Sequence, residues 1–136
     1  MNVAELTDIA AAHPGRRGAA RLRRLIATAE RFDSLTDSEL EEAFVALARS
    51  AGLPTPALNQ RIAGMRVDAV FRAQRVAVEL DGYRWHRSRY RQESDRRREA
   101  RLRQLGWAPV RYSASQVFDD PLVVVADLGS ILATRT

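Results

Sequence analysis

The chain has 136 residues, no cysteine and a formal net charge of +5, and all 22 of its basic residues are arginine. This length predicts one domain, while 46% hydrophobic and 29% charged residues exclude wholesale disorder. The lack of cysteine excludes a disulfide scaffold and thiolate metal sites, and no apolar run approaches the ~18 residues of a membrane span. We therefore expect a cytoplasmic protein that does not contact a membrane.

Helical spacing of apolar residues predicts three helices in the first part of the chain, at about 3–12, 17–31 and 38–51. Pro14-Gly15 separates the first two helices, and Gly52-Leu53-Pro54 ends the third. We interpret residues 1–37 as an N-terminal helical extension of a domain that spans residues 38–136.

After Pro56 the apolar period changes to two, which predicts strands at 58–63, 66–72 and 75–81. If Ala73-Gln74 forms a two-residue hairpin loop, Asp68 lies directly opposite Glu79 on one face of the sheet. The other face of this hairpin is then uniformly apolar and comprises Val67, Ala69, Phe71, Val76, Val78 and Leu80.

The second half of the chain predicts a helix, a strand and a last helix. The first helix runs from about residue 92 to Leu105, and the strand at 107–113 contains Pro109, which indicates an edge position. Asp120-Pro121 predicts the N-cap and first residue of the last helix. Its buried stripe is expected to be Val125, Leu128 and Leu132. The core order α-β-β-β-α-β predicts an α/β (α+β) fold with a mixed sheet flanked by helices.

The positive charge is concentrated in residues 84–103, which hold nine arginines and three acids and so carry +6, while the remainder sums to −1. A focused basic segment suits binding to a phosphate backbone. A solvated helix with charge pairs along it, such as Glu99 with Arg103, is the alternative reading of the same segment.

Asp68 and Glu79 form a carboxylate pair that needs compensation. Opposed side chains in a sheet have Cβ atoms about 4.5–5.5 Å apart, and two unit charges at about 5 Å repel by roughly 3 kcal/mol at an effective dielectric of about 20. Asp81 adds a third carboxylate to the same face. Three features would each relieve the repulsion between these carboxylates. They are a divalent cation such as Mg²⁺ or Mn²⁺, an arginine such as Arg66 or Arg111, or a raised pKa of one of the carboxyl groups.

Two further residues have alternative interpretations. His86 follows Asp81 by five residues and lies in the basic segment, so it is either a packing residue or a general base or phosphate contact. Glu41 is either the third residue of a capping box that starts at Ser38, or a carboxylate that points towards the pair of Asp68 and Glu79. Local sequence favours capping.

Six stretches match one known family in order: SELEEAF (38–44), GLPTPALN (52–59), VDAVF (67–71), VAVELDGYRWH (76–86), DRRREARLRQLGW (95–107) and VRYSASQVFDDP (110–121). The chain thereby resembles the endonuclease-like domain family related to the very-short-patch-repair endonuclease, within the PD-(D/E)XK, or restriction-endonuclease-like, superfamily. The resemblance implies the core order that the apolar patterns predict independently. Residues 13–24 also resemble the segment before this domain in longer actinobacterial proteins that carry a winged-helix or antitoxin-like module.

The resemblance implies roles for residues at matching positions. Asp68, Glu79 and Glu41, with the backbone carbonyl of Leu80, would hold Mg²⁺ or Mn²⁺. Asp81 stands where many superfamily members carry a lysine, and the family commonly has an acid there. His86 matches a histidine that takes part in catalysis in the repair endonuclease. Contacts to DNA are expected from Arg84, Arg87, Arg89, Arg91 and Arg98.

Together these features predict a Mg²⁺-dependent DNA endonuclease of the bacterial cytoplasm, acting in repair or defence. Because the chain has no lysine, arginines and His86 would have to supply the cationic and basic groups. The alternatives are a catalytically inactive nucleic-acid-binding module and an antitoxin-type partner protein of the same fold. A homodimer or a separate protein partner is left open by the sequence.

Overall fold

A computed structural model of the chain describes residues 35–82 and 89–136, with side chains for all of these except 89–91. The helices predicted at 3–12 and 17–31 lie outside the described residues. The same holds for the predicted site residues Arg84, His86 and Arg87, and for the side chains of Arg89 and Arg91.

The described residues form eight elements: α1 (Asp37–Ser50), β1 (Ala57–Ile62), β2 (Met65–Phe71), β3 (Val76–Asp81), α2 (Arg89–Gln104), β4 (Ala108–Ser113), α3 (Ala114–Asp119) and α4 (Pro121–Thr134). The strands make one sheet in the order β1-β2-β3-β4. Neighbours are antiparallel from β1 to β3, while β4 runs parallel to β3 after a connection through α2. The predicted order α-β-β-β-α-β and the mixed sheet are confirmed, and β4, which contains Pro109, lies at the sheet edge.

The hairpin of β2 and β3 has the predicted register. Its paired residues are Ala69 with Val78, Val70 with Ala77, and Phe71 with Val76. Extending the same register by one step places Asp68 next to Glu79, as the sequence predicts. The alternation of apolar and polar residues was therefore sufficient to align these strands.

Val67 departs from the predicted apolar face. It packs with Val70 and Ala77, on the side of the sheet that α2 covers, instead of with Ala69. The register of β1 and β2 pairs Leu58 with Ala69 and Gln60 with Val67, and Asn59 between them has a left-handed backbone with φ 52°. The pleat of β1 is therefore irregular next to the point where strict alternation fails on β2.

Two apolar clusters hold the helices on the sheet. Val78 lies in the larger cluster, which α1, α3 and α4 cover, and its neighbour Ala77 lies in the smaller cluster with Leu102 of α2. Within the larger cluster the ring of Phe44 lies 6.2 Å from that of Tyr112 and 6.4 Å, edge-on, from that of Phe71. This packing fixes α1 and β4 against the strands that carry the acidic residues.

The C-terminal region differs from the sequence prediction in two respects. The short helix α3 was not predicted, although Ser113 and Gln116 form the capping box that starts it. In α4 the buried residue is Val124 instead of Val125, together with Leu128 and Leu132, since these three recur every fourth residue along one face. None of the described helices is long and apolar enough to cross a membrane.

Candidate active site

A recess of about 200 Å³ lies where β2 and β3 meet α1 and α2. Its lining contains six carboxylates and two guanidinium groups, so the formal charge of this set is −4. The lining residues are Asp37, Glu41, Asp68, Glu79, Leu80, Asp81, Gly82, Asp95, Arg98 and Arg111. The fold thus brings four predicted acidic residues, Glu41, Asp68, Glu79 and Asp81, into one acidic recess.

Asp68 and Glu79 are adjacent carboxyl groups on neighbouring strands. Asp68 Oδ2 accepts a hydrogen bond from the backbone N–H of Leu80 at 2.8 Å. Burial raises the pKa of Glu79 from 4.5 to about 7, and the charge of Asp68 and a hydrogen bond with it act in the same direction, while Arg98 lowers it. Glu79 therefore gains and loses its proton near neutral pH.

Arg98 contacts Glu79 directly. Its Nη2 lies 2.5 Å from Glu79 Oε1, and the two side chains are 29% and 14% exposed. The sequence predicts Arg98 as a DNA contact, whereas the structure turns it into the recess. A helix exposes about half of its circumference, and sequence alone did not fix which arginines of α2 face inward.

Glu41 has the second of its two predicted orientations. Thr36, and not Ser38, is the N-cap of α1, because the Thr36 side chain accepts from the N–H of Glu39 at 3.1 Å. The capping-box interpretation of Glu41 is therefore wrong. Glu41 is only 6% exposed and lines the recess.

Asn59 holds Glu41 in place, and its role is not predicted from the sequence. Its Nδ2 donates to Glu41 Oε2 at 3.1 Å, and its Oδ1 accepts from Arg66 Nε at 3.2 Å. Arg66 Nη2 also lies 4.0 Å from Glu41 Oε1. The available signal was the residue type, since asparagine tolerates the left-handed backbone better than most residues. Arg66 thus compensates Glu41 instead of Asp68 or Glu79.

Asn59→Ala should destabilise the protein by about 1–3 kcal/mol, because it removes a donor from the buried Glu41 carboxylate and strains a left-handed position. Urea denaturation measures this loss. If the orphaned carboxylate is the main cause, Glu41→Gln added to Asn59→Ala should recover part of the stability. A double variant no more stable than Asn59→Ala would contradict this explanation.

Asp81 is held by Arg111, one of the arginines that the sequence suggests as a partner. Arg111 Nη1 donates to Asp81 Oδ1 at 2.9 Å and to Oδ2 at 3.0 Å. Arg111 Nη2 lies 3.4 Å from Glu99 Oε1 and 3.5 Å from Asp95 Oδ2. Burial alone would lower the pKa of Arg111, but the hydrogen bond and charge of Asp81, with the charges of the other two acids, raise it. Arg111 therefore joins β3, β4 and α2 beside the recess.

The other arginines of α2 whose side chains the structure describes fit the solvated-helix interpretation in part. Arg96, Arg97, Arg101 and Arg103 are exposed. Arg103 lies 3.7 Å from Glu99, the pair predicted from sequence, and Arg97 lies 4.0 Å from Glu93. Exposed pairs of this kind contribute little stability and leave the arginines accessible to other anions.

The donor set suits a hard divalent cation. Carboxylates of Glu41, Asp68 and Glu79 and the backbone of Leu80 line the same acidic recess, and Mg²⁺ and Mn²⁺ prefer oxygen ligands. Among residues 35–82 and 92–136, however, no group of three or more acids or histidines converges closely enough to hold a metal ion. The predicted ligands thus share one recess, while Glu79 is paired with Arg98.

The mixed sheet, with helices on both faces and acids at one end, defines a restriction-endonuclease-like α+β protein. The catalytic domain of the homing endonuclease I-Bth0305I has a similar fold, with a TM-score of 0.59 over 71% of this chain and 95% of that domain at 14% sequence identity.

The chain belongs to the REase_MTES_1575 family, a restriction-endonuclease-like family that it matches over residues 41–132. The endonuclease-like resemblance seen in the sequence is thereby confirmed. Uncharacterized proteins of two Mycobacterium tuberculosis strains, CDC 1551 and H37Rv, are each 31% identical over 123 residues, which is 86% of this chain. The chain spans 44% of the length of these curated relatives.

Proposed function

We propose that the chain is a divalent-metal-dependent DNA endonuclease that hydrolyses phosphodiester bonds. The observation that carries this proposal is the adjacent carboxyl pair of Asp68 and Glu79 in an acidic recess of a restriction-endonuclease-like fold. A carboxyl group whose pKa is shifted by burial and by a like charge is typical of a functional site. A role in repair or defence remains part of the proposal.

Asp68, Glu79 and Glu41, with the backbone carbonyl of Leu80, would hold Mg²⁺ or Mn²⁺. When bound, such an ion polarises a phosphoryl oxygen and lowers the pKa of a water molecule. Asn59 keeps Glu41 oriented towards the recess, and the Leu80 N–H keeps Asp68 fixed. His86, outside the described residues, is proposed to take the proton from the attacking water, because an arginine stays protonated at neutral pH.

DNA is the proposed substrate because the recess is bordered by the basic helix α2. Arg96 and Arg101 are exposed on this helix, and the segment 84–103 carries +6 in total. The predicted contacts Arg84, Arg87, Arg89 and Arg91 belong to the same segment and remain proposals. Binding of this kind weakens steeply with salt, since each neutralised phosphate adds about 0.9 to the slope of log K against log salt.

Cleavage of supercoiled plasmid tests the proposal. Wild type should nick or linearise the plasmid with Mg²⁺ or Mn²⁺, and EDTA should stop the reaction. Asp68→Asn should cut at least about 100-fold more slowly, since even outer-shell changes cost about 10–100-fold in metal affinity or activity. Asp120→Asn is the matched control, because Asp120 is exposed and its side chain caps nothing. Equal behaviour of wild type and Asp68→Asn, including no cleavage by either, would refute the enzymatic proposal.

The second candidate function is a nucleic-acid-binding module without catalysis. The ion pair of Arg98 with Glu79 favours it, because an arginine can neutralise the charge of this carboxylate in place of a metal ion. This function predicts salt-sensitive DNA binding that EDTA leaves unchanged. Calorimetric titration with Mn²⁺ separates the two candidates, since only the endonuclease should bind the ion.

A further inference from the structure

Arg98 occupies an unusual position for an arginine of a basic helix. Its Nη2 reaches Glu79 Oε1 at 2.5 Å, and its side chain is 29% exposed at the edge of the recess. Arg98 Nε and Glu79 Oε1 are both buried and have no hydrogen bond of normal geometry among the described residues, so the two side chains meet as an ion pair. A guanidinium carries five N–H donors, so Glu79 satisfies this group only in part.

Arg98 and a metal ion would require the same carboxylate. A ligating carboxylate must be deprotonated and must direct an oxygen at the ion, while Oε1 of Glu79 is directed at Arg98. Glu79 Oε1 is a buried atom, and two cations at one buried oxygen repel each other more strongly than they would in water. The described acids do not converge as a metal site in the arrangement in which Arg98 holds Glu79.

We propose that Arg98 is a positioning residue that exchanges partners: it pairs with Glu79 when no metal is bound, and it moves to a DNA phosphate when the metal takes Glu79. This inference rests on the proposed function and extends it by coupling DNA binding to metal binding. The planar guanidinium suits both partners, because carboxylate and phosphate each accept its parallel N–H donors. A phosphate would also offer acceptors for the donors that Glu79 leaves unsatisfied.

This exchange of partners makes the binding of DNA and the binding of the metal ion cooperative. DNA that engages Arg98 leaves Glu79 available to the metal, and metal on Glu79 leaves Arg98 available to DNA. Such coupling is reciprocal in affinity and typically amounts to about 5- to 150-fold. Because this sequence has no lysine, Arg98 would supply a cationic group for the phosphate, and it would do so only when a metal ion is bound at Glu79.

Mn²⁺ binding without DNA tests the competition. Calorimetry at about pH 8, where protons compete little for the ligands, should show Arg98→Gln binding Mn²⁺ about 10-fold more tightly than wild type. Arg97→Gln is the matched control, because Arg97 is 83% exposed and pairs with Glu93 on the outer side of the helix. Its Mn²⁺ affinity should equal that of wild type. Arg98→Met, which keeps an unbranched side chain without charge, is the second variant in case glutamine impairs folding.

Duplex binding with Ca²⁺, an oxygen-seeking cation that can load the site in place of Mg²⁺, tests the move to phosphate, with the duplex checked to be intact after the measurement. With Ca²⁺, Arg98→Gln should lower the slope of log K against log salt by about 0.9, the amount expected for one lost phosphate contact, whereas in EDTA, where Arg98 stays on Glu79, the slope should change little. An unchanged slope with Ca²⁺ would overturn the phosphate step. Equal Mn²⁺ affinities of wild type and Arg98→Gln would overturn the competition, and the endonuclease proposal would stand if wild type cleaves plasmid. Failure of every variant to bind Mn²⁺ would overturn both proposals.

Discussion

Glu79→Gln should make the protein more stable at neutral and alkaline pH while it removes nuclease activity. The pKa of Glu79 is about 7 in the folded protein against an ordinary value of 4.5, chiefly because of burial. Folding thus favours the protonated form of Glu79, and the contribution of this group to the free energy of unfolding is fully present below about pH 4.5. The contribution is lost as the pH rises from about 4.5 to about 7, because Glu79 in the unfolded chain releases its proton at a lower pH than in the folded protein.

Glutamine resembles the protonated carboxyl group and carries no such loss. The free energy of unfolding of Glu79→Gln should therefore match that of wild type near pH 4.5 and exceed it by about 1–3 kcal/mol above pH 7. Urea denaturation of both proteins across this range measures the difference. Glu42→Gln is the control, because Glu42 is exposed on α1. A difference between Glu79→Gln and wild type that does not change with pH would contradict the assignment.

The same substitution should slow metal-dependent cleavage by about 100-fold or more, because a neutral amide is a much weaker ligand for Mg²⁺ than a carboxylate. Opposite changes in stability and activity are expected where a site holds a buried charge for function. A variant that is more stable and equally active would show that Glu79 is not part of the catalytic site.

Much of this site follows from local sequence rules. Alternation along 66–72 and 75–81 was enough to align the hairpin, and the alignment placed Asp68 beside Glu79. The chain leaves the sheet after Gly82 and passes through α2 before it enters β4. A helical crossover of this kind joins parallel strands, as β3 and β4 are. Periodicity works here because alternate residues of β2 and β3 pack into the two apolar clusters on opposite faces, so a slip by one residue would move the whole set to the wrong face.

Contacts that depend on the rotation of a helix or on a non-regular residue could not be predicted in this way. The inward direction of Arg98 depends on how α2 lies on the sheet, which Leu102 fixes from the smaller cluster. The orientation of Glu41 depends on Asn59, which has a left-handed backbone and donates to the Glu41 carboxylate. Nothing in the spacing of these residues along the chain encodes that geometry.

Arg111→Met should destabilise the protein by about 2 kcal/mol. Arg111 is the shared partner of Asp81, Asp95 and Glu99, and its removal would bring three carboxylates together without the guanidinium that joins them. These side chains are between 23% and 31% exposed, so the loss should lie between the ~1 kcal/mol of an exposed pair and the ~3–5 kcal/mol of a buried one.

Two variants distinguish the loss of this guanidinium from a general effect of removing charge near α2. Arg103→Met breaks only the 3.7 Å pair with Glu99 at a 61% exposed side chain, and it should change stability by less than about 0.5 kcal/mol. Asp81→Asn added to Arg111→Met should recover part of the loss, because it removes the carboxylate that Arg111 contacts most closely. If the double variant is as unstable as the sum of both single changes, the carboxylates do not repel one another appreciably. Arg111 would then act through packing of its side chain between β4 and α2, and not as the counter-charge that keeps Asp81 beside the recess.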